Sequence, residues 1–146
     1  MEADVIKRIV LYGVIAIAAL FVAIQLVPYG RDHTNPPATG EPSWDSPQTR
    51  ALAKRACFDC HSTETVWPWY SHIAPASWLV YKDVVEGRRG FSFTNWDQGT
   101  KRARKLVEVI VEGQMPPRQY LLLHPEARLT AEEKQPLIAG LQKSVP

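Results

Sequence analysis

The sequence predicts an all-α chain: a single N-terminal transmembrane helix followed by a small helical domain. Three observations predict it. Residues 9–27 form an apolar run with no charge and a single amide, Gln25. Beyond a proline-rich stretch, apolar side chains recur at the spacing of helix faces, framed by helix starts and stops. The 146 residues leave room for one anchor and one small core, because domains typically hold about 100 to 150 residues.

The first element is the anchor, residues 1–28. From Ile9 to Val27 it spans roughly 28 Å at about 1.5 Å per residue, close to the ~30 Å hydrocarbon core of a bilayer. Lys7 and Arg8 precede the run, and Pro28-Tyr29-Gly30 ends it. The positive-inside rule therefore puts the N-terminus in the cytoplasm and the rest outside, although Arg31 keeps the asymmetry modest. A cleaved signal peptide is the rival, since Ala16-Ile17-Ala18 has the small-x-small form of a cleavage site. Cutting there would leave the apolar stretch from Ala19 to Val27 at the new terminus, so a single-pass anchor in a bacterial cytoplasmic membrane is the expectation.

Residues 29–46 hold Pro36, Pro37 and Pro42 with Gly30, Gly40, Asn35 and Thr39, which reads as a semi-extended linker. The helical domain follows over residues 47–146. Ser46-Pro47 supplies an N-cap and a first-turn proline, and Leu52, Ala53 and Ala56 form a narrow stripe running into Cys57. A second helix starts at Pro75, carries Trp78, Tyr81 and Val85, and ends at Gly87. A third is expected from about Asp97 or Gln98 to Glu112, with Ala103, Leu106, Val107 and Ile110 on one face and Gly113 as its C-cap. Its β-branched tail, Leu106 to Val111, would also suit a strand. The last helix opens on a Thr130-x-x-Glu133 capping box and buries Leu137, Ile138 and Leu141; Pro136 kinks it or delays its start.

Both cysteines of the chain fall in Cys57-Phe58-Asp59-Cys60-His61. This spacing reads as attachment of one c-type haem: two thiols add across the porphyrin vinyl groups, and the adjacent imidazole becomes an axial iron ligand. The placement outside the membrane suits it, because bacteria attach c-type haem beyond the inner membrane. Three other readings are weaker. A structural zinc would want four ligands, and no second Cys pair or His-x(3-5)-His follows. A thioredoxin-type dithiol would want alternating strand and helix around it. A disulfide across two residues would close a very short loop and stabilise little. The net charge of +2 does not point to nucleic acid, and the cluster Lys101-Arg102-Ala103-Arg104-Lys105 reads as a solvated helix face.

Trp67, Trp69 and Tyr70 lie in a proline-interrupted loop and, with Trp78, are expected to wall the porphyrin; the bland reading is an ordinary aromatic core. The second axial ligand has few candidates. Met115 is the only methionine besides the first residue, and it stands before Pro116-Pro117, which stiffen its loop. His72, His124 or an open position are the alternatives.

These strings together, Cys57-Phe58-Asp59-Cys60-His61-Ser62, Trp67-Pro68-Trp69-Tyr70-Ser71, Ile73-Ala74-Pro75, Ser77-Trp78, Glu86-Gly87-Arg88 and Met115-Pro116-Pro117, resemble the bacterial haem-binding domain family of monohaem c-type proteins over roughly Thr49 to Lys143. The family often carries Asn-Phe-Ser before its next tryptophan, where this chain has Phe91-Ser92-Phe93-Thr94-Asn95-Trp96. The resemblance implies a cytochrome c-like helical domain behind an N-terminal signal or anchor, thioethers at Cys57 and Cys60, His61 as proximal ligand and Met115 as distal ligand. The expected function is a non-enzymatic, periplasmic-side carrier of single electrons between redox partner proteins. An overlapping reading makes it a subunit that relays electrons within a respiratory or photosynthetic complex. The alternative is a peroxidase-like or gas-sensing haem with an open distal position.

Overall fold

The structure is a computed structural model that describes residues 2–96 and 105–144. Its regular elements are all helices, with no strand among the described residues and one isolated bridge between Gly40 and Asn95. By contact the chain forms two compact units, Met1–His33 with Pro68–Lys82, and Thr34–Trp67 with Asp83–Pro146. The division into 1–28, 29–46 and 47–146 rests on composition and follows different lines.

In the first unit, α1 spans Glu2–Ile24. It starts before the apolar run, with Glu2 and Asp4 in the first turn, where the helix dipole favours negative charge. It is long and apolar enough to cross a membrane, and none of its residues is buried. The protein thus offers this helix no core of its own. Past Ile24 the helix tightens: the N–H groups of Gln25, Leu26 and Val27 donate to the carbonyls of Val22, Ala23 and Ile24 at 3.1, 3.1 and 3.2 Å. Pro28 brings no N–H to continue, and Gly30 turns the chain at φ +79°. A side chain is also barred there, because a Cβ would come within 2.8 Å of the Ser77 carbonyl oxygen. The same unit holds a 3₁₀ turn at Trp69–His72 and the start of α3, Ala76–Gly90.

The second unit contains α2 (Pro47–His61), the later turns of α3, α4 (Leu106–Val111), α5 (Arg118–Leu123), a 3₁₀ turn at Pro125–Ala127 and α6 (Ala131–Ser144). The expected caps are present. The Ser46 hydroxyl accepts from the Thr49 N–H at 3.2 Å. Thr130 and Glu133 exchange two bonds, side chain to backbone N–H, of 3.0 and 3.2 Å. Helix α6 continues past Pro136 from a start at Ala131, so the proline does not delay it. The segment from Leu106 is helix, not strand; residues 97–104, and with them Ala103 and most of the basic cluster, lie outside the described residues.

The core of this unit gathers Leu52, Ala53, Phe58, Phe93, Trp96, Ile110, Leu137 and Leu141. Phe93 lies at its centre, 5.3 Å from Phe58 and 6.0 Å from Trp96, both stacked. Burying one such side chain contributes about 1.5–3 kcal/mol, whereas a surface ion pair such as Lys54–Glu64 contributes at most about 1 kcal/mol. The aromatic stack therefore outweighs the charge pairs. Part of the linker belongs to this unit: the N–H groups of Thr39 and Gly40 donate to the Thr94 carbonyl at 2.9 and 3.1 Å, and Trp44 packs 5.3 Å from Phe93.

Candidate functional site

Cys57, Cys60 and His61 occupy the last turn of α2. Buried Ser62 closes the helix: its hydroxyl donates to the Phe58 carbonyl at 2.7 Å and accepts from the Glu64 N–H at 2.8 Å. The Phe93 N–H donates to the His61 carbonyl at 2.7 Å, and the Thr63 N–H donates to the Thr94 hydroxyl at the same distance. The segment from Phe91 to Trp96 thus holds the histidine from behind.

Beside this turn lies a cavity of about 490 Å³, within the size range of cofactor sites. Cys57, Cys60 and His61 line it from α2, Gly87 and Gly90 from α3, Leu106 and Val109 from α4, and Met115, Pro116, Pro117 and Tyr120 from the segment that follows. Four residues expected from the sequence, Cys57, Cys60, His61 and Met115, meet at one cavity.

The His61 Nδ1 lies 3.3 Å from the Phe91 carbonyl, and the imidazole stacks on the Phe91 ring at 4.2 Å. A carbonyl can only accept, so Nδ1 carries the proton and Nε2 is left with its lone pair. Burial pulls the imidazole below its ordinary pKa, against the opposing pull of the Phe91 and Gly87 backbone. At neutral pH it is uncharged, the form that binds a metal. Burial also pushes both cysteine thiols up to about 12, aided at Cys57 by Cys60 and at Cys60 by Asp83 and Asp59. A dithiol redox centre needs the opposite shift, toward a stable thiolate.

Met115 is held by the end of α4. Gly113, at φ +70°, sends its N–H to the Ile110 carbonyl, while the N–H groups of Gln114 and Met115 converge on the Val109 carbonyl at 2.9 and 3.2 Å. This double closure is a Schellman motif, with Glu112 as the C-cap and the expected Gly113 one residue beyond it in the left-handed position. Met115 is 37 % exposed.

Several positioning residues escaped the sequence reading. Gly87 does not end its helix, which continues to Gly90; it lets α3 touch α2, because a Cβ there would fall 2.9 Å from the Cys60 carbonyl carbon. The Tyr120 hydroxyl donates to Asp59 Oδ2 at 2.6 Å, tying α5 to the last turn of α2 between the cysteines. Burial, then this bond, holds the phenol well above its ordinary pKa. Arg88 donates to the Ser62 carbonyl, the Thr34 carbonyl, Asn35 Oδ1 and Thr65 Oγ1 at 2.6–3.0 Å, fixing the chain on both sides of the motif. None of these pairs is close in sequence, and only Gly87 and Arg88 fell within a noted string.

The aromatic expectations fare differently. Among the described residues, the cavity lining includes none of Trp67, Trp69, Tyr70 or Trp78. The Trp67 ring lies under the Arg88 guanidinium at 5.9 Å. Trp69, Tyr70 and Trp78 belong to the first unit, where Trp69 and Tyr70 meet edge to face at 5.8 Å. The apolar wall comes instead from Phe91, Leu106, Val109, Pro116 and Pro117. Nor do the other histidines reach the lining: His72 packs edge-on against His33 at 4.4 Å, and His124 stacks on Tyr120 at 4.3 Å with Nδ1 3.0 Å from Glu126.

The donor set suits a haem: two protonated thiols, a neutral imidazole and a thioether on apolar walls. Among the described residues no three or more His, Cys, Asp or Glu side chains gather for a bare metal ion. Comparison with curated proteins and with solved structures gave no match. Residues 19–143 match the family described as haem-binding domain. With nearly the whole chain covered by that match, and its thiols, imidazole and thioether around one cavity, the chain belongs to the haem-binding domain family and is a haem protein.

Proposed function

We propose that the chain is a membrane-anchored monohaem c-type cytochrome that carries single electrons on the periplasmic side of a bacterial cytoplasmic membrane. Thioether bonds from Cys57 and Cys60 would hold the haem, with His61 Nε2 and the Met115 thioether on the iron. The observation that carries this reading is the presence of all four donors around one cavity. When bound, the haem supplies a one-electron Fe(III)/Fe(II) couple, and a thioether ligand raises its potential relative to a second imidazole.

The chain's own residues keep that couple in place. Phe91 orients His61, Gly113 holds Met115, and the apolar wall would lie against the haem. The membrane side of the proposal is supported by a helix with the length to span a bilayer and no buried residue. Electron donors and acceptors would be other redox proteins, or neighbouring subunits if α1 docks within a respiratory or photosynthetic complex. A carrier is favoured over an enzyme because a cavity-lining thioether is available for the second axial position.

The optical spectrum of the oxidised protein tests this. Expected is a far-red sulfur-to-iron charge-transfer band that Met115→Ala abolishes. A high-spin spectrum with fast peroxide turnover in the unsubstituted protein would instead make it a haem enzyme.

A further inference from the structure

The first unit ties a second segment to the end of α1. Gln25, the only amide in the apolar run, uses both ends of its side chain on one residue: Nε2 donates to the Ala74 carbonyl at 3.0 Å, and Oε1 accepts from the Ala74 N–H at 2.9 Å. Two further contacts fix the same juncture. The Tyr29 ring meets Tyr81 edge to face at 5.3 Å, and Gly30 admits the Ser77 carbonyl where any side chain would clash. These ties set residues 74–81 level with the end of the apolar run.

What this juncture exposes is apolar and aromatic. Leu26 is 78 % exposed, Trp69 75 % and Leu79 52 %, with Tyr29 and Ile73 also open. A soluble protein seldom leaves so much apolar surface in one place. Between Pro68 and Lys82 there is no carboxylate, and the only strongly basic group is Lys82 itself, so nothing in the segment repels an anionic lipid surface. Exposed Trp and Tyr beside the end of a membrane helix have the chemistry of the interfacial belt, where amphipathic rings sit among headgroups.

We infer that residues 68–79 form a second membrane contact, seated in the headgroup layer of the bilayer that α1 enters. The inference rests on the anchor reading above and adds to it a fixed lipid-facing segment. The occupant is lipid, not protein, because the Gln25–Ala74 bonds fasten this segment beside the exposed Leu26 and Val27, where the membrane helix ends.

The test uses the full haem-loaded chain in vesicles of phosphatidylethanolamine and phosphatidylglycerol. Nitroxide labels are placed through Trp69→Cys, Leu79→Cys, Val14→Cys and Lys54→Cys, and the unsubstituted chain supplies any background from Cys57 and Cys60. Collision with oxygen, which enters lipid, is compared with collision with a water-soluble nickel chelate. Expected is an oxygen-to-nickel ratio at positions 69 and 79 several-fold above that at 54 and below that at 14. Nickel access at 69 and 79 with position 14 in lipid would overturn the second contact and leave the anchor standing. Nickel access at position 14 would overturn the anchor and this inference with it. Protection of 69 and 79 from both reagents would place a protein there and overturn the lipid assignment.

Discussion

Replacing Gly87 by alanine sets two effects of opposite sign against each other. In an isolated helix the change would favour folding by up to about 1 kcal/mol, since glycine is the poorer helix former. In this fold the new methyl would lie 2.9 Å from the Cys60 carbonyl carbon and 3.1 Å from the Cys60 Cβ, and closer still to the carbonyl oxygen, where ordinary contact begins at 3.4 Å. These are backbone and near-backbone atoms of α2, so no flexible side chain can step aside. The helices must part by roughly half an ångström or more, and overpacking of this kind typically costs about 1–3 kcal/mol. The steric cost exceeds the gain in propensity. Expected is a net loss of about 1–2 kcal/mol, or roughly 5 to 10 °C in the unfolding midpoint of a domain this size. Because the displacement falls on Cys60, haem content should fall with it. Thermal unfolding by circular dichroism and the haem-to-protein ratio measure the two. A Gly87→Ala protein that melts higher than its parent and holds a full complement of haem would refute the close packing of α3 on the motif.

Gly113→Ala places a side chain in open space but at φ +70°, so its cost is conformational, about 1–2 kcal/mol by urea unfolding, and the far-red sulfur band should weaken as Met115 loosens. Tyr120→Phe removes only the hydroxyl that donates to Asp59, and a loss of about 1–2 kcal/mol is expected in the same assay; an unchanged midpoint would mean α5 is not tied to the motif. Glu41 is held below its ordinary pKa first by the Arg50 hydrogen bond, against partial burial, and then by the Trp44 N–H. Its stabilisation is therefore present above the ordinary carboxylate value and is lost as pH falls through the lowered one. Glu41→Gln should cost no more than about 1 kcal/mol at neutral pH, because solvent screens this partly exposed pair, and less at an acid pH where the carboxylate is protonated in the fold as well. Equal gaps at the two pH values in denaturant titrations would refute the linkage.

The legible parts of this molecule are the local ones. Ser46 with Pro47, Thr130 with Glu133 and Gly113 each make their bonds within a few residues, and the Cys57–His61 motif lies within about one helical turn, so the sequence alone places them. The helix over Leu106–Val111 was legible from its spacing despite β-branched content, because tertiary burial of Leu106 and Ile110 outweighs propensity. Gly87, Tyr120 and Arg88 act on partners distant in the chain, and nothing near them in sequence names Cys60, Asp59 or Thr34. The aromatic cluster shows the same limit from the other side. Composition says that Trp69, Tyr70 and Trp78 need apolar surroundings, but not which surroundings, and they belong to the unit that contains α1 while Phe91 and Phe93 back the histidine.

The nature of the haem bond is decided by one measurement, intact mass of the purified chain after acid–acetone extraction. Covalent attachment through Cys57 and Cys60 gives the mass of the polypeptide plus one haem, with a colourless extract. The bare polypeptide mass with haem in the extract would contradict c-type attachment and leave a protein that binds haem by its axial ligands alone.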